Sequence, residues 1–147
     1  MMLEALKFIA TVSAGLFAGA ALYITAVEHP VRSILETHAA ATQWAPSYKR
    51  ATLMQAPLAL IGLVSGISAG VLGAGTGWVG GALLLGSVVP ITFIIIMPTN
   101  HKLLEPGRDL ASAETRSLIN HWGRLHSIRT GLSLLSFGLF CWLSSGA

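Results

Sequence analysis

Residues 51–101 read ATLMQAPLALIGLVSGISAGVLGAGTGWVGGALLLGSVVPITFIIIMPTNH, with no Asp, Glu, Lys or Arg between Arg50 and Lys102. As one helix this stretch would be more than twice as long as the roughly 30 Å hydrocarbon core of a bilayer. The break lies at Gly73-Ala74-Gly75-Thr76-Gly77. Glycine at that density ends a helix and permits a tight turn. The segment therefore reads as two membrane spans, Leu53–Leu72 and Trp78–Met97, folded back on each other as an antiparallel hairpin.

The rest of the chain agrees with that reading. Hydrophobic residues make up 53% of the 147 residues and charged residues only 10%. A soluble domain carries about 25% charged residues, so this chain has too few to cover a water-facing surface. Phe8–Val27 contains no charge and supplies another span. A cleaved signal peptide ending near Ala18-Gly19-Ala20 is the rival reading. The apolar run continues through Leu22, Tyr23 and Ile24, where a signal peptide would turn polar. Thr130–Leu143 is too short to cross alone, so the last span must begin near Leu125 and run to Ser144. His126 and Arg129 are thereby drawn to the edge of the hydrocarbon or inside it, a depth at which an ionisable side chain should face protein or a water-filled space.

The expected fold is a single all-α transmembrane domain, 1–147: a four-helix bundle with up-down topology and spans at about 8–27, 53–72, 78–97 and 125–144. Eight of the nine basic residues (all but Lys7) fall in the first and third connections or just beyond them. The positive-inside rule places those connections in the cytoplasm and both termini outside a bacterial inner membrane. Val31–Ala41 and Asp109–Asn120 carry apolar residues at helical spacing, which predicts short amphipathic surface helices or cytoplasmic extensions of the spans.

Nearly every group able to act as acid, base or ligand sits at that same end. Glu28, His29 and Pro30 close the first span; Trp44, Tyr48 and Gln55 lead into the second; Asn100 and His101 close the third; His121, Trp122, His126 and Arg129 lead into the fourth. At about 100° per residue, Trp122, His126, Arg129 and Ser133 share one face of a helix, and His121 lies well off it. Glu28 is placed to pair with Arg32 at i,i+4, and an ion pair between Glu28 and Arg129 is the structural alternative to catalysis. His38 and His101 read as headgroup-region surface residues, and Trp44, Tyr48, Trp78 and Trp142 as an aromatic belt. Spacings such as Gly15/Gly19, Gly62/Gly66 and Gly66/Gly70 suggest close helix packing and a homo-oligomer. The single cysteine, Cys141, excludes an intramolecular disulfide and any cysteine-rich metal site. No phosphate loop, dinucleotide fingerprint, serine elbow or HExxH is present. Imidazoles from His29, His121 and His126 with Glu28 form the one set that iron or copper would suit, although their spacing matches no metal signature.

The chain resembles the small bacterial membrane proteins of the anthrone oxygenase-like family. The resemblance is carried by Ala18-Gly19-Ala20-Ala21-Leu22-Tyr23 with Val27-Glu28-His29-Pro30, by Trp44-Ala45-Pro46-Ser47-Tyr48-Lys49-Arg50 with Gln55-Ala56, by Met97-Pro98-Thr99-Asn100, and by His121-Trp122-Gly123-Arg124-Leu125-His126 with Arg129-Thr130. Fungal relatives are linked to oxidation of anthrones to anthraquinones with dioxygen. The resemblance implies an integral-membrane oxygenase or oxidoreductase of the monooxygenase type. Its substrate would be a small, lipid-soluble, anthrone- or quinone-like aromatic. The resemblance assigns no catalytic residue; side-chain chemistry offers His29 or His126 as base, Arg129 and Asn100 to stabilise an oxyanion, and Trp122, Trp44, Tyr48 and Gln55 to bind substrate. The cofactor is none, iron or copper. Membrane lipid is the expected surrounding and nucleic acid is not an expected partner. A non-catalytic assembly or cofactor-binding subunit is the alternative, with a small transporter as a third class, disfavoured because the spans lack polar residues at mid-depth.

Overall fold

The computed structural model describes residues 1–146, and among them there are helices and turns and no strand. Four long helices account for the architecture: α1 (Met2–Ile34), α2 (Thr37–Ala74), α3 (Thr76–Leu103) and α4 (Ala113–Ser144). The first three are long and apolar enough to cross a membrane. They contain the expected spans 8–27, 53–72 and 78–97. With 32 residues α4 is also long enough, but Arg116, Arg124 and Arg129 fall between its start and its middle, so its composition does not identify it as a span.

The glycine-rich turn forms as expected and is tighter than a five-residue link. Gly73 and Gly75 adopt φ of 103° and 98°, a left-handed conformation that side chains resist. Helical geometry is already broken at Gly73, so the three residues Gly73–Gly75 make the turn between α2 and α3. At the opposite end, no free-standing surface helix forms over Val31–Ala41. Leu35 and Glu36 turn extended, with ψ of 156° and 151°, so the segment divides into the tail of α1 and the head of α2. Arg116 of α4 spans this break, with contacts to the Thr37 hydroxyl and to the Ser33 and Leu35 carbonyls. In the third connection Ser112 caps α4, its hydroxyl accepting from the Thr115 N–H at 3.1 Å. Residues 113–120 are therefore an extension of α4.

Two prolines shape the inner ends of α1 and α3. A proline ring clashes with the carbonyl four residues earlier. For Pro30 and Pro98 those carbonyls belong to Ala26 and Ile94, and both lie in π-helical turns, Ile24–Glu28 and Thr92–Ile96. Each π turn absorbs the clash without ending its helix, and such turns recur at functional sites.

Helices α1 and α3 each pack against both α2 and α4. In lipid the hydrophobic effect does not drive helices together, so close approach through small residues does. Ala10, Ala14, Ala18 and Ala21 are buried along α1. A Cβ built on Gly15, Gly62, Gly66 or Gly70 would strike Phe137, Leu85, Ala82 or Val79 of the same chain. Close packing at these four glycines is thus met within the chain; of the five glycines in the expected stripes, Gly19 alone has no neighbour within 4 Å. The expected aromatic belt also needs correction. Trp44 and Trp78 are each 1% exposed and belong to the core, whereas Trp142 is exposed.

The core has two parts. One, around Phe17, Trp78, Leu85 and Phe140, lies toward the glycine turn. The other gathers Ile24, Trp44, Ile96, Ile119 and Trp122. On every helix a short interval separates the two: Ala21 from Ile24 on α1, Ala59 from Ala51 on α2, Val89 from Ile96 on α3, Leu132 from Leu125 on α4. Thr25 borders this interval, and Gln55, His126, Arg129 and Thr130 fall within it.

Candidate functional site

The site is a polar layer between two apolar ones. On α4, Trp122, His126 and Ser133 are buried and Arg129 is half-buried, while His121 is exposed, as the helical face predicted. His126 is 2% exposed, and its Nδ1 lies 3.1 Å from the Thr25 hydroxyl of α1. Thr25 in turn meets the Thr130 hydroxyl at 2.8 Å. Arg129 donates through Nη2 to the Gln55 Oε1 of α2 at 2.7 Å, and its guanidinium lies over the Phe17 ring, 5.4 Å from the centroid. The Arg129 Nε and the Gln55 Nε2 are buried without partners. No carboxylate pairs with Arg129 among the described residues. A guanidinium held among apolar side chains with no counter-ion strongly favours a guest that brings negative charge.

Trp122 organises the surrounding aromatics. Its ring centroid is 4.9 Å from that of His126 and 6.0 Å from that of His29, so it stands against both imidazoles. Trp44 meets it edge-on at 5.8 Å and stacks on Tyr48 at 5.1 Å. Gly123 is required here, because a Cβ at that position would run into the His29 ring.

Glu28 forms a separate cluster. Its Oε1 accepts from Arg32 Nη2 at 2.6 Å, from Gln43 Nε2 at 2.9 Å and from the Ser47 hydroxyl. Arg32, 2% exposed, also donates to Gln43 and lies over Trp122, 5.5 Å from the centroid. Glu28 thus pairs with Arg32, as its spacing predicted, and not with Arg129.

Two spaces adjoin this layer. The larger, about 90 Å³, lies between α2 and α3. Its deep wall includes Phe17, Ala59 and Arg129, and its rim is formed by the exposed Thr52, Ala56 and Phe93. Arg129 is the only charged residue lining it. The smaller, about 10 Å³, has room for one water and is lined by Gln55, Trp122, His126 and Arg129 among others. Tyr48, Thr52 and Arg129 line both and so form the partition between them. The Tyr48 hydroxyl is held only by a weak 3.8 Å contact to the Met97 sulfur.

A sequence model described as anthrone oxygenase matches residues 44–139, more than half of the chain. The chain belongs to the anthrone oxygenase family. The matched region holds most of α2, all of α3 and most of α4, and with them Gln55, His126, Arg129 and most of the lining of both spaces. Comparisons with curated proteins and with solved structures return no match. Membership of the anthrone oxygenase family, together with three helices apolar enough to cross a bilayer, makes this a membrane protein and points to an oxygenase-like role.

Of the residues singled out from the sequence of this anthrone oxygenase homologue, His126, Arg129, Trp122, Tyr48 and Gln55 line one space. His29 and Trp44 do not line it; His29 stands against Trp122, and Trp44 against both Trp122 and Tyr48. Asn100 is fully buried, but neither amide atom has a hydrogen-bond partner, so it makes no bond to Arg129 or His126. The metal set is not assembled. His121 is exposed, and no group of three His, Cys, Asp or Glu side chains able to hold an ion occurs among the described residues. The donors present do not fit iron or copper. Thr25 and Thr130 were missed, since lone threonines in apolar runs usually bond back to their own helix. The available signal was Thr25 at i−4 from His29 and Thr130 at i+4 from His126.

Proposed function

We propose that this protein is an integral-membrane oxygenase acting on a lipid-soluble aromatic with an acidic CH₂, an anthrone-like compound, with dioxygen as oxidant. The observation that carries the reading is the 90 Å³ space that opens at the apolar surface between α2 and α3 and has Arg129 in its deep wall, with His126 across the partition. On this reading all four helices cross a bacterial inner membrane in up-down order. The two basic connections lie in the cytoplasm and both termini outside. The eight basic residues of that end support the orientation.

The chemistry follows from the residues. His126 removes one proton from the CH₂, leaving an anion whose charge resides largely on the conjugated carbonyl oxygen. Arg129, without a counter-ion of its own, receives that oxygen. The electron-rich carbon reacts with dioxygen to form a C–O bond. Loss of the second C–H proton with cleavage of the O–O bond then gives the quinone carbonyl and water. One anthrone and one dioxygen thus become one anthraquinone and one water. The space is smaller than the roughly 300–1,000 Å³ of drug-sized ligand sites, so a tricyclic guest requires Tyr48 and Phe93 to move aside.

Entry from the lipid is directly testable. Ala56→Trp fills the mouth between α2 and α3 without touching Arg129 or His126. In proteoliposomes the KM for anthrone is expected to rise about tenfold, the equivalent of ~1.4 kcal/mol, with kcat little changed. An unaltered KM in a folded Ala56→Trp variant rules this route out.

A further inference from the structure

We infer that Thr25 and Thr130 fix the tautomer of His126, holding its proton on Nδ1 and leaving Nε2 as the basic nitrogen. The inference rests on the reading of His126 as the base for its catalytic meaning, but not for its geometry. Three contacts form a chain: His126 Nδ1 to Thr25 Oγ1 at 3.1 Å, Thr25 Oγ1 to Thr130 Oγ1 at 2.8 Å, and Thr130 Oγ1 to the Ala21 carbonyl at 3.1 Å. A carbonyl can only accept, so the Thr130 hydroxyl proton goes to Ala21. The contact between the two threonines must then be made by the Thr25 proton. With that proton committed, Thr25 can only accept from His126, and Nδ1 must carry the hydrogen.

The reverse assignment has Thr25 donating to a bare Nδ1. It would leave the 2.8 Å contact or the Ala21 contact without a proton. The other possible acceptor for Thr130, the His126 carbonyl at 3.4 Å, leads to the same direction. The arrangement is built from two matched helical turns, Ala21 with Thr25 on α1 and His126 with Thr130 on α4, each pair at i,i+4. It selects the Nδ1–H tautomer, the minor one for a histidine side chain free in water. The exchangeable lone pair is thereby placed on Nε2, the nitrogen farther from the backbone, on a ring that lines the same space as Arg129 and Gln55. Thr25 and Thr130 are positioning residues: they act through His126.

The test is ¹⁵N NMR of the full-length protein in lipid, with labelled histidine and the His126 signals assigned by their loss in His126→Phe. At neutral pH His126 is expected to show a protonated Nδ1 and an unprotonated Nε2. In Thr25→Val with Thr130→Val the signals should move toward the opposite tautomer, and Thr25→Ser should keep the native pattern. A protonated Nε2 in the unaltered protein overturns the inference, and that spectrum needs no variant to fold. A native pattern persisting in the folded double valine variant overturns it equally. Anthrone turnover is the second readout. Thr25→Val should lower kcat about 10- to 100-fold at constant KM, a part of the roughly 10²–10⁴-fold that general-base catalysis contributes as a whole. A tautomer change with kcat unaltered would leave the assignment standing and remove His126 from the role of base.

Discussion

His126→Ala is expected to lower anthrone turnover by roughly 10²–10⁴-fold, the contribution of a positioned general base, with the helices still formed and inserted. The expectation follows from the surroundings of the ring. His126 is 2% exposed, is tied through Nδ1 to Thr25, and shares its space with Arg129 and Gln55. His126 is the one histidine among the described residues that lines this space. Removing a buried ring also leaves a cavity, and truncations of large side chains to alanine cost about 3–5 kcal/mol. His126→Phe is therefore the companion variant, because it keeps an aromatic ring at the site and deletes only the nitrogens. Both variants should lose turnover. Oxygen uptake within about tenfold of the unaltered protein in either would show that the base lies elsewhere.

Glu28→Ala is expected to destabilise the protein by about 3–5 kcal/mol, the penalty for leaving a buried charge without its partner. Arg32 is 2% exposed, and its ionic contact is to Glu28 at 2.6 Å. The same carboxylate oxygen holds Gln43 and Ser47, so it joins the tail of α1 to the head of α2 across the break at Leu35–Glu36. The loss would also reach the site, because Arg32 lies over Trp122. Denaturation followed by helicity in mild detergent measures the effect. Replacing the pair together, as Glu28→Gln with Arg32→Met, should recover most of the loss because no charge is then stranded. A Glu28→Ala variant within about 1 kcal/mol of the parent would place Arg32 in contact with water or lipid phosphate instead.

The parts of this structure legible in the sequence are those governed by periodicity and charge. The uncharged stretch with its glycine break became a helical hairpin, and the face Trp122–His126–Arg129 became the inner face of α4. Both follow from local geometry. What could not be read depends on partners contributed by distant segments. Gly62 and Gly66 were equally suited to a second copy or to Leu85, Ala82 and Phe140, and only packing decides between them. Trp44 and Trp78 have the composition of interface residues, yet they are core because Tyr48 and Phe140 stack on them. Glu28 and Asn100 were the partners the sequence offered Arg129. Glu28 is taken by Arg32, and Gln55 meets the guanidinium instead, leaving its charge uncompensated. Asn100 was expected beside Arg129 in one pocket, and its buried amide has no hydrogen-bond partner and lines neither space. The Thr25–Thr130 pair joins residues more than a hundred positions apart, a juxtaposition no spacing rule contains.

Photolabelling in proteoliposomes tests the ligand site most directly. An anthracene carrying a diazirine is activated in the bilayer and its adducts are mapped by mass spectrometry. Labelling is expected on Thr52, Phe93 and Met97, the residues around the opening between α2 and α3, and should be suppressed by excess anthrone. Adducts confined to outward-facing residues of α1 such as Phe8, Leu16 and Tyr23, unaffected by anthrone, would contradict a ligand site at Arg129 and His126.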